Sequence, residues 1–182
     1  MTNMQIAVAR FGGRRPAPGL GALPHHDITA AADVDAAVEG VRRLVVAGSD
    51  ADLALVLTRL MRLERLDIEV AHVAGRFGGR RARRGAAQRV PLIRDDTGTV
   101  IVGSALWLPP SGAGTVHGEA VIDDAVLFDG QASGVRIEPT AAMPGLRATV
   151  LAPGIGPRRW RSGRAAQLGT TGARVVRDGV PA

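Results

Sequence analysis

The chain has 182 residues, 46% of them apolar, with 24 glycines, 11 prolines, three Phe, two Trp and no Tyr, enough for an aliphatic core in one domain or two small lobes. All 23 basic residues are arginine, the formal net charge is +6, and cysteine is absent. This excludes a disulfide framework, a thiolate metal site, and any chemistry that needs lysine as nucleophile or phosphate clamp.

The N-terminus lacks a signal-peptide pattern, and no apolar run approaches the roughly 20 residues that span a bilayer. A cytoplasmic protein without a transmembrane segment is expected. Residues 5–9 read as a short strand that runs into Arg10-Phe-Gly-Gly-Arg-Arg15. Residues 16–27 follow as an exposed loop. Its pair His25-His26 has no third ligand at metal spacing, so no metal site is expected.

Asp33 is placed to cap a helix with the apolar stripe Val34, Ala37, Val38 and Val41. Residues 44–47, Leu-Val-Val-Ala, then form a buried strand closed by Gly48, Ser49 and Asp50. Asp50 reads as the N-cap of a second helix, with Asp52 in its first turn and Leu53, Val56, Leu57 and Leu60 on one face. In an α/β sheet, ligands bind at loops leaving the carboxyl ends of strands, and N–H groups at a helix start suit phosphate. Gly48, Ser49 and Asp50 are therefore candidate phosphate-binding residues.

Residues 67–74 form the next strand, and the hexapeptide Arg-Phe-Gly-Gly-Arg-Arg then recurs at positions 76–81. If the strands before the two copies are parallel neighbours of residues 44–47, both copies open at the same edge as the Gly48 turn. Gly12, Gly13 and Arg14 of the first and Gly78, Gly79 and Arg80 of the second join the candidate site. Glycine lets backbone approach a ligand, and guanidiniums grip phosphate oxygens. The basic run continues from Arg76 to Arg89, and no acid occurs between Glu69 and Asp95. It reads as a loop or linker with the electrostatic footprint of an RNA or acidic-protein contact. With only Phe77 available to stack, base-specific reading is not expected.

Beyond Pro91 the pattern becomes β, with strands at 99–103, 119–122, 125–128, 134–138, 146–151, 164–168 and 173–177. Gly169-Thr-Thr-Gly172 between the last two is a hairpin signal. The acids Glu119, Asp123, Asp124, Asp129 and Glu138 fall mostly at turns and are expected to be solvated. Arg158-Arg-Trp-Arg161 is a second basic patch with Trp160 as its anchor. His117 and Glu119 share a strand face, but two residues do not define an acid/base site, and no catalytic residue is assigned. The expectation is an α+β chain: a small α/β nucleotide-binding-like lobe over residues 1–90, ending in the Arg-rich loop, then a β-sandwich-like lobe over 91–182.

Val45-Val-Ala-Gly-Ser-Asp-Ala-Asp-Leu53, between strand and helix, resembles the Gly-Gly-Asp-Gly-Thr nucleotide loop of the bacterial diacylglycerol and lipid kinase family, relatives of the NAD kinases. Gly48 and Asp50 match; Ser49, Ala51 and Asp52 do not. Phe128-Asp-Gly130, Arg136-Ile-Glu-Pro139, Pro144-Gly-Leu146, Gly163-Arg-Ala-Ala-Gln-Leu168 and Val176-Arg-Asp-Gly179 are similar to that family's β-sandwich. The resemblance implies ATP and Mg²⁺ as cofactors, and phosphoryl transfer to a lipid or small alcohol with Gly48, Ser49 and Asp50 at the phosphates. The family's Gly-Thr-Gly-Asn-Asp loop is replaced by Gly75-Arg-Phe-Gly-Gly79, and Asp52 sets a carboxylate where the family has a hydroxyl. The expectation is a shortened, degenerate, catalytically impaired relative that binds an anionic ligand, either a nucleotide or another phosphate-bearing molecule. The alternative is a non-enzymatic basic module for RNA, a ribosome, anionic lipid or an acidic partner.

Overall fold

Short β-branched runs build the first sheet of the protein, seen here in a computed structural model that describes residues 5–151 and 159–182. Strands β1 (Ile6–Phe11), β2 (His25–Ile28), β3 (Arg43–Ala47) and β4 (Glu69–Val73) form a parallel sheet in the order β2-β1-β3-β4. All of β3 is buried, as a central parallel strand covered on both faces must be. Val8, Val45, Ala47 and Val73 point to one face and pack with Ala17, Leu20 and Ala82. Helices α1 (Asp33–Ala37) and α2 (Asp50–Arg62) bury Val34, Ala37, Leu53, Val56 and Leu60. Each Val or Leu among them contributes about 1.5–3 kcal/mol when fully buried.

Five expectations need correction in this part of the chain. Residues 16–27 are not simply an exposed loop: Ala17 and Leu20 are buried, and His25–Ile28 pairs with β1 as an edge strand. Helix α1 ends at Ala37, and Gly40 turns the chain with φ 64°. Its N-cap is Ala32; the Asp33 carboxylate instead accepts the N–H groups of Thr29 and Ala30, both at 2.8 Å. Those two bonds, with the Thr29 hydroxyl, hold Asp33 below the usual carboxylate range. The N-cap of α2 is Ser49 rather than Asp50, because the Ser49 side chain accepts the Asp52 N–H. The Arg-rich stretch is not all loop either. Residues Gly79–Arg84 form helix α3, whose Gly79 and Ala82 are buried.

Buried Arg43 explains why α3 stays docked. Its guanidinium meets Glu69 at 2.5 Å and donates to the carbonyls of Ala82, Arg83 and Gly85 at 3.2, 2.8 and 2.7 Å. Carbonyls at the end of a helix lack partners within it, and here one buried fork supplies them.

The chain divides into two compact units, Met1–Arg89 with Gly98–Val100, and Val90–Thr97 with Ile101–Ala182. Short strands β5 (Ile93–Arg94) and β6 (Val100–Ile101) form a two-stranded ladder. The second unit then contains β7 (Ala105–Leu108), β8 (Val116–Ile122), β9 (Ala125–Ala132), β10 (Val135–Pro139), β11 (Leu146–Val150), β12 (Arg161–Gly163), β13 (Ala166–Thr170), β14 (Arg174–Arg177) and β15 (Val180–Pro181). A six-stranded sheet, β12-β11-β10-β7-β14-β15, and a three-stranded sheet, β13-β8-β9, share one core. Val135 and Ile137 of β10 and Leu146 and Ala148 of β11 point inward at a period of two and meet Ile122, Leu127, Phe128 and Ala166. The α+β class, with a parallel α/β lobe followed by a β-sandwich, is therefore the observed architecture.

Gly169-Thr-Thr-Gly172 is not a hairpin. β13 pairs with β8 while β14 pairs with β7, so the chain changes sheet there. Glu138 is not a solvated acid but is gripped by Arg136 and Arg147 at 2.7 and 2.6 Å. Asp123 accepts the backbone N–H groups of Arg164 and Ala165. Among the described residues, no helix is long and apolar enough to cross a membrane.

Candidate anion site at the carboxyl edge of the parallel sheet

Because β1, β3 and β4 run parallel as neighbours, the loops after Phe11, Ala47 and Val73 leave the sheet at one edge. The segments after β1 and β4 touch. Arg14 Nη1 donates to the Ala74 carbonyl at 3.3 Å. Gly79 lies so close to the Pro18 carbonyl that a Cβ there would collide, and Gly19 backs onto Arg80. Gly12 and Gly13 sit at φ 61° and 65°, Gly78 at φ 105°, and the space beside each is open. Open, left-handed glycines present backbone that a ligand can approach.

The two hexapeptide copies are not equivalent. Arg10 and Phe11 belong to β1; Phe11 is buried, and Arg10 is bound to Asp27 at 2.7 Å. In the second copy Phe77 lies beyond β4 and is 89% exposed. Identical residues thus enter different environments: Gly12, Gly13 and Gly78 lie in open turns, whereas Gly79 is buried at the start of α3 against Pro18.

The Gly48-Ser49-Asp50 turn is already closed by the protein itself. Asp52 Oδ2 accepts the Ser49 N–H at 2.7 Å and the Ser49 hydroxyl at 2.8 Å, while the Ser49 hydroxyl oxygen accepts the Asp52 N–H at 3.2 Å. This reciprocal capping box sets a carboxylate against Gly48, where a Cβ would stand 2.6 Å from Asp52 Oδ2. An N–H that a phosphate would use is taken, and a negative charge sits beside it. A polyphosphate held by this helix start does not fit the residues present.

Sequence reasoning missed His72. On β4 beside Val46, its Nε2 lies 2.9 Å from the Gly48 carbonyl and so carries the proton of that bond. Its Nδ1 is 3.8 Å from Asp50. Only the register of β3 against β4 reveals this. Arg43 was also missed, since a cation at the start of an apolar strand reads as exposed.

Arg10, Arg43, Arg59, Arg65, Arg136, Arg147 and Arg177 each meet a carboxylate. Among the described residues, none lies within ion-pair distance of Arg14, Arg15, Arg76, Arg80, Arg81 or Arg84. Trp160 is covered by the Arg147 guanidinium, 4.3 Å from the ring centre, so it is not the open anchor expected; Arg158 lies outside the described residues. No group of three or more His, Asp or Glu side chains is arranged to hold a metal among the described residues.

No family model and no curated protein matches the sequence. Solved structures do match the fold. A diacylglycerol kinase from Bacillus anthracis str. Sterne superposes with a TM-score of 0.72 at 13% identity, over 98% of this chain and 91% of that one. An NAD kinase from Archaeoglobus fulgidus, solved in complex with ATP, superposes with a TM-score of 0.61 at 11% identity, over 96% of this chain and 84% of that one. The chain therefore has the fold of diacylglycerol and NAD kinases. At these identities the likeness speaks for the fold alone; activity has to be argued from the site.

Proposed function

We propose that this chain is a kinase-like protein that has lost phosphoryl transfer and binds a phosphate-bearing ligand through Gly12, Gly13, Arg14, Gly78 and Arg80. The Asp52 carboxylate, seated on the Ser49 N–H and hydroxyl, carries this reading. It supplies from within the anion that the helix start would otherwise receive. ATP with Mg²⁺, which the fold suggests, is disfavoured at that turn. The open glycines and unpaired arginines beside it support anion binding in the flanking loops. The role of Gly48, Ser49 and Asp50 is then to hold the turn shut.

Thermal shift and titration calorimetry with sodium pyrophosphate, and with ATP and Mg²⁺, at two salt concentrations test this reading. Pyrophosphate should stabilise the protein at low salt and lose most of that effect at high salt, and Arg14→Ala should weaken it. Asp52→Ser should raise the affinity for ATP about tenfold by removing a like charge and releasing the Ser49 N–H. Transfer of a γ-phosphoryl group to diacylglycerol by the unaltered protein would overturn the impaired-catalyst reading. Indifference to every phosphate would overturn the anion site. Salt-sensitive binding of RNA but not pyrophosphate would favour the basic-module alternative.

A further inference from the structure

One imidazole stands where the closed Gly48 turn and the open glycine loops meet β4. Among the described residues, His72 is the one histidine within ion-pair distance of a carboxylate, its Nδ1 lying 3.8 Å from Asp50 Oδ1. The Gly48 carbonyl occupies Nε2 at 2.9 Å, so in the neutral ring Nδ1 is a bare acceptor facing a carboxylate. Two acceptors cannot bond. A proton on Nδ1 reverses the sign of that contact and makes it an ion pair. Both neighbouring loops are tied to the same stretch of strand: the Gly48 N–H donates to the Val73 carbonyl and Arg14 to the Ala74 carbonyl, each at 3.3 Å. The other charged groups around the ring are engaged or exposed. Arg43 of β3 and Glu69 of β4 satisfy each other, and Asp52 of α2 is bound to Ser49. Arg81 of α3 lines the same cleft of about 250 Å³ as His72, but is exposed to water. Asp50 therefore decides what a proton on His72 does.

From this geometry we propose that His72 makes binding of the phosphate-bearing ligand depend on pH, strengthening it as pH falls. The inference rests on the phosphate-binding reading above and names the regulation of that site. With a neutral ring, the Asp50 and Asp52 carboxylates beside the Gly48 turn both repel an anion arriving at Gly12, Gly13, Arg14, Gly78 and Arg80. A proton taken from solvent onto Nδ1 pairs His72 with Asp50 and cancels one of those charges. No other bond is made or broken. One unit of charge beside a partly solvated site is worth about fourfold in affinity. By linkage, a bound anion in turn draws a proton onto the ring. His72 acts here as a positioning residue: it holds the turn through Gly48 and sets the charge of Asp50, without touching the ligand.

Calorimetric titration of the full chain and of His72→Gln with sodium pyrophosphate, at about pH 8 and about pH 5.5 on either side of the ordinary imidazole range, tests the proposal. Glutamine keeps a donor for the Gly48 carbonyl and does not titrate. The affinity ratio of the unaltered chain to His72→Gln should rise about fourfold from the higher pH to the lower; pyrophosphate's own titration cancels in that ratio. His72→Asn, a second amide that does not titrate, should give the same rise if glutamine disturbs the strand. Without ligand, the effects of His72→Gln and Asp50→Asn on the urea midpoint should be non-additive at the lower pH and additive at the higher, because the pair exists only when the ring is charged. A constant affinity ratio with pyrophosphate bound, or additive substitutions at the lower pH, would each overturn the proposal. Failure of pyrophosphate to bind at either pH, with the substitutions still non-additive at the lower one, would overturn the phosphate reading and the control built on it, while leaving the ion pair in place.

Discussion

Replacing Arg43 by methionine should detach helix α3 while leaving the parallel sheet assembled. The side chain is only 7% exposed; its guanidinium donates to Glu69 at 2.7 Å and to three carbonyls near the end of α3 at 2.7–3.2 Å. A hydrogen bond to a charged group contributes about 1.5–3 kcal/mol, and breaking a buried ion pair by deleting one partner costs about 3–5 kcal/mol. These figures describe overlapping contacts and do not add. Water reaches the freed carbonyls once the helix lifts, so the net loss is set at about 3 kcal/mol. Methionine keeps the apolar stem, which separates loss of the fork from loss of packing. Urea denaturation gives the global figure, and trypsin gives the local one through its rate of cleavage after Arg80, Arg81, Arg83 and Arg84. Arg43→Lys should fall between, because one ammonium cannot reach the carboxylate and the carbonyls together. A loss below about 1 kcal/mol, with trypsin cutting α3 no faster, would refute the anchoring role.

Three further outcomes are expected. Gly118→Ala should destabilise the second unit by about 2–4 kcal/mol, because Gly118 has φ 150° and lies against the Gly169 carbonyl; Gly169→Ala, with its nearest neighbour at 4.0 Å, should be nearly neutral in the same urea melt. Partial burial pushes the Glu138 carboxyl up, but hydrogen bonds from Arg147 and Arg136 outweigh it and hold the group below the usual carboxylate range. A depressed folded value means stability that is present above the unfolded pKa of about 4.3 and lost as pH falls through the folded one. Urea midpoints should therefore fall on acidification below about pH 4, and less so in Glu138→Gln. Thr58→Val should cost about 1–3 kcal/mol, since the buried Thr58 hydroxyl accepts the Val100 N–H at 2.9 Å; a melting temperature within a degree of the unaltered chain would contradict it.

Several elements were readable because their cause is local. Leu53, Val56 and Leu60 recur at helical spacing and Val135, Ile137, Leu146 and Ala148 at strand spacing, and each set is buried as those periods demand. The Ser49 to Asp52 spacing is itself a capping-box signature, so the closed turn is within reach of the sequence even though Asp50, one residue on, also reads as a cap. Strand β7 was missed because Ala-Leu-Trp-Leu has no β-branched residue and no alternation; its pairing with β10 and β14 decides it. The hairpin at Gly169–Gly172 failed for the same reason: a turn signal states that the chain bends, not which strand it joins next.

The sequence alone determined the order of lobes, the excess of arginine, and the three glycine-bearing turns after successive strands, because these follow from composition and from interactions a few residues apart. Only the tertiary structure decided that two identical hexapeptides have different fates, with Phe11 buried and Phe77 exposed. It alone placed Arg43 beneath α3 and His72 beside Gly48. Those outcomes depend on which surfaces meet across tens of residues. The neighbours that bury or expose a side chain are supplied by other strands, and no local pattern contains them.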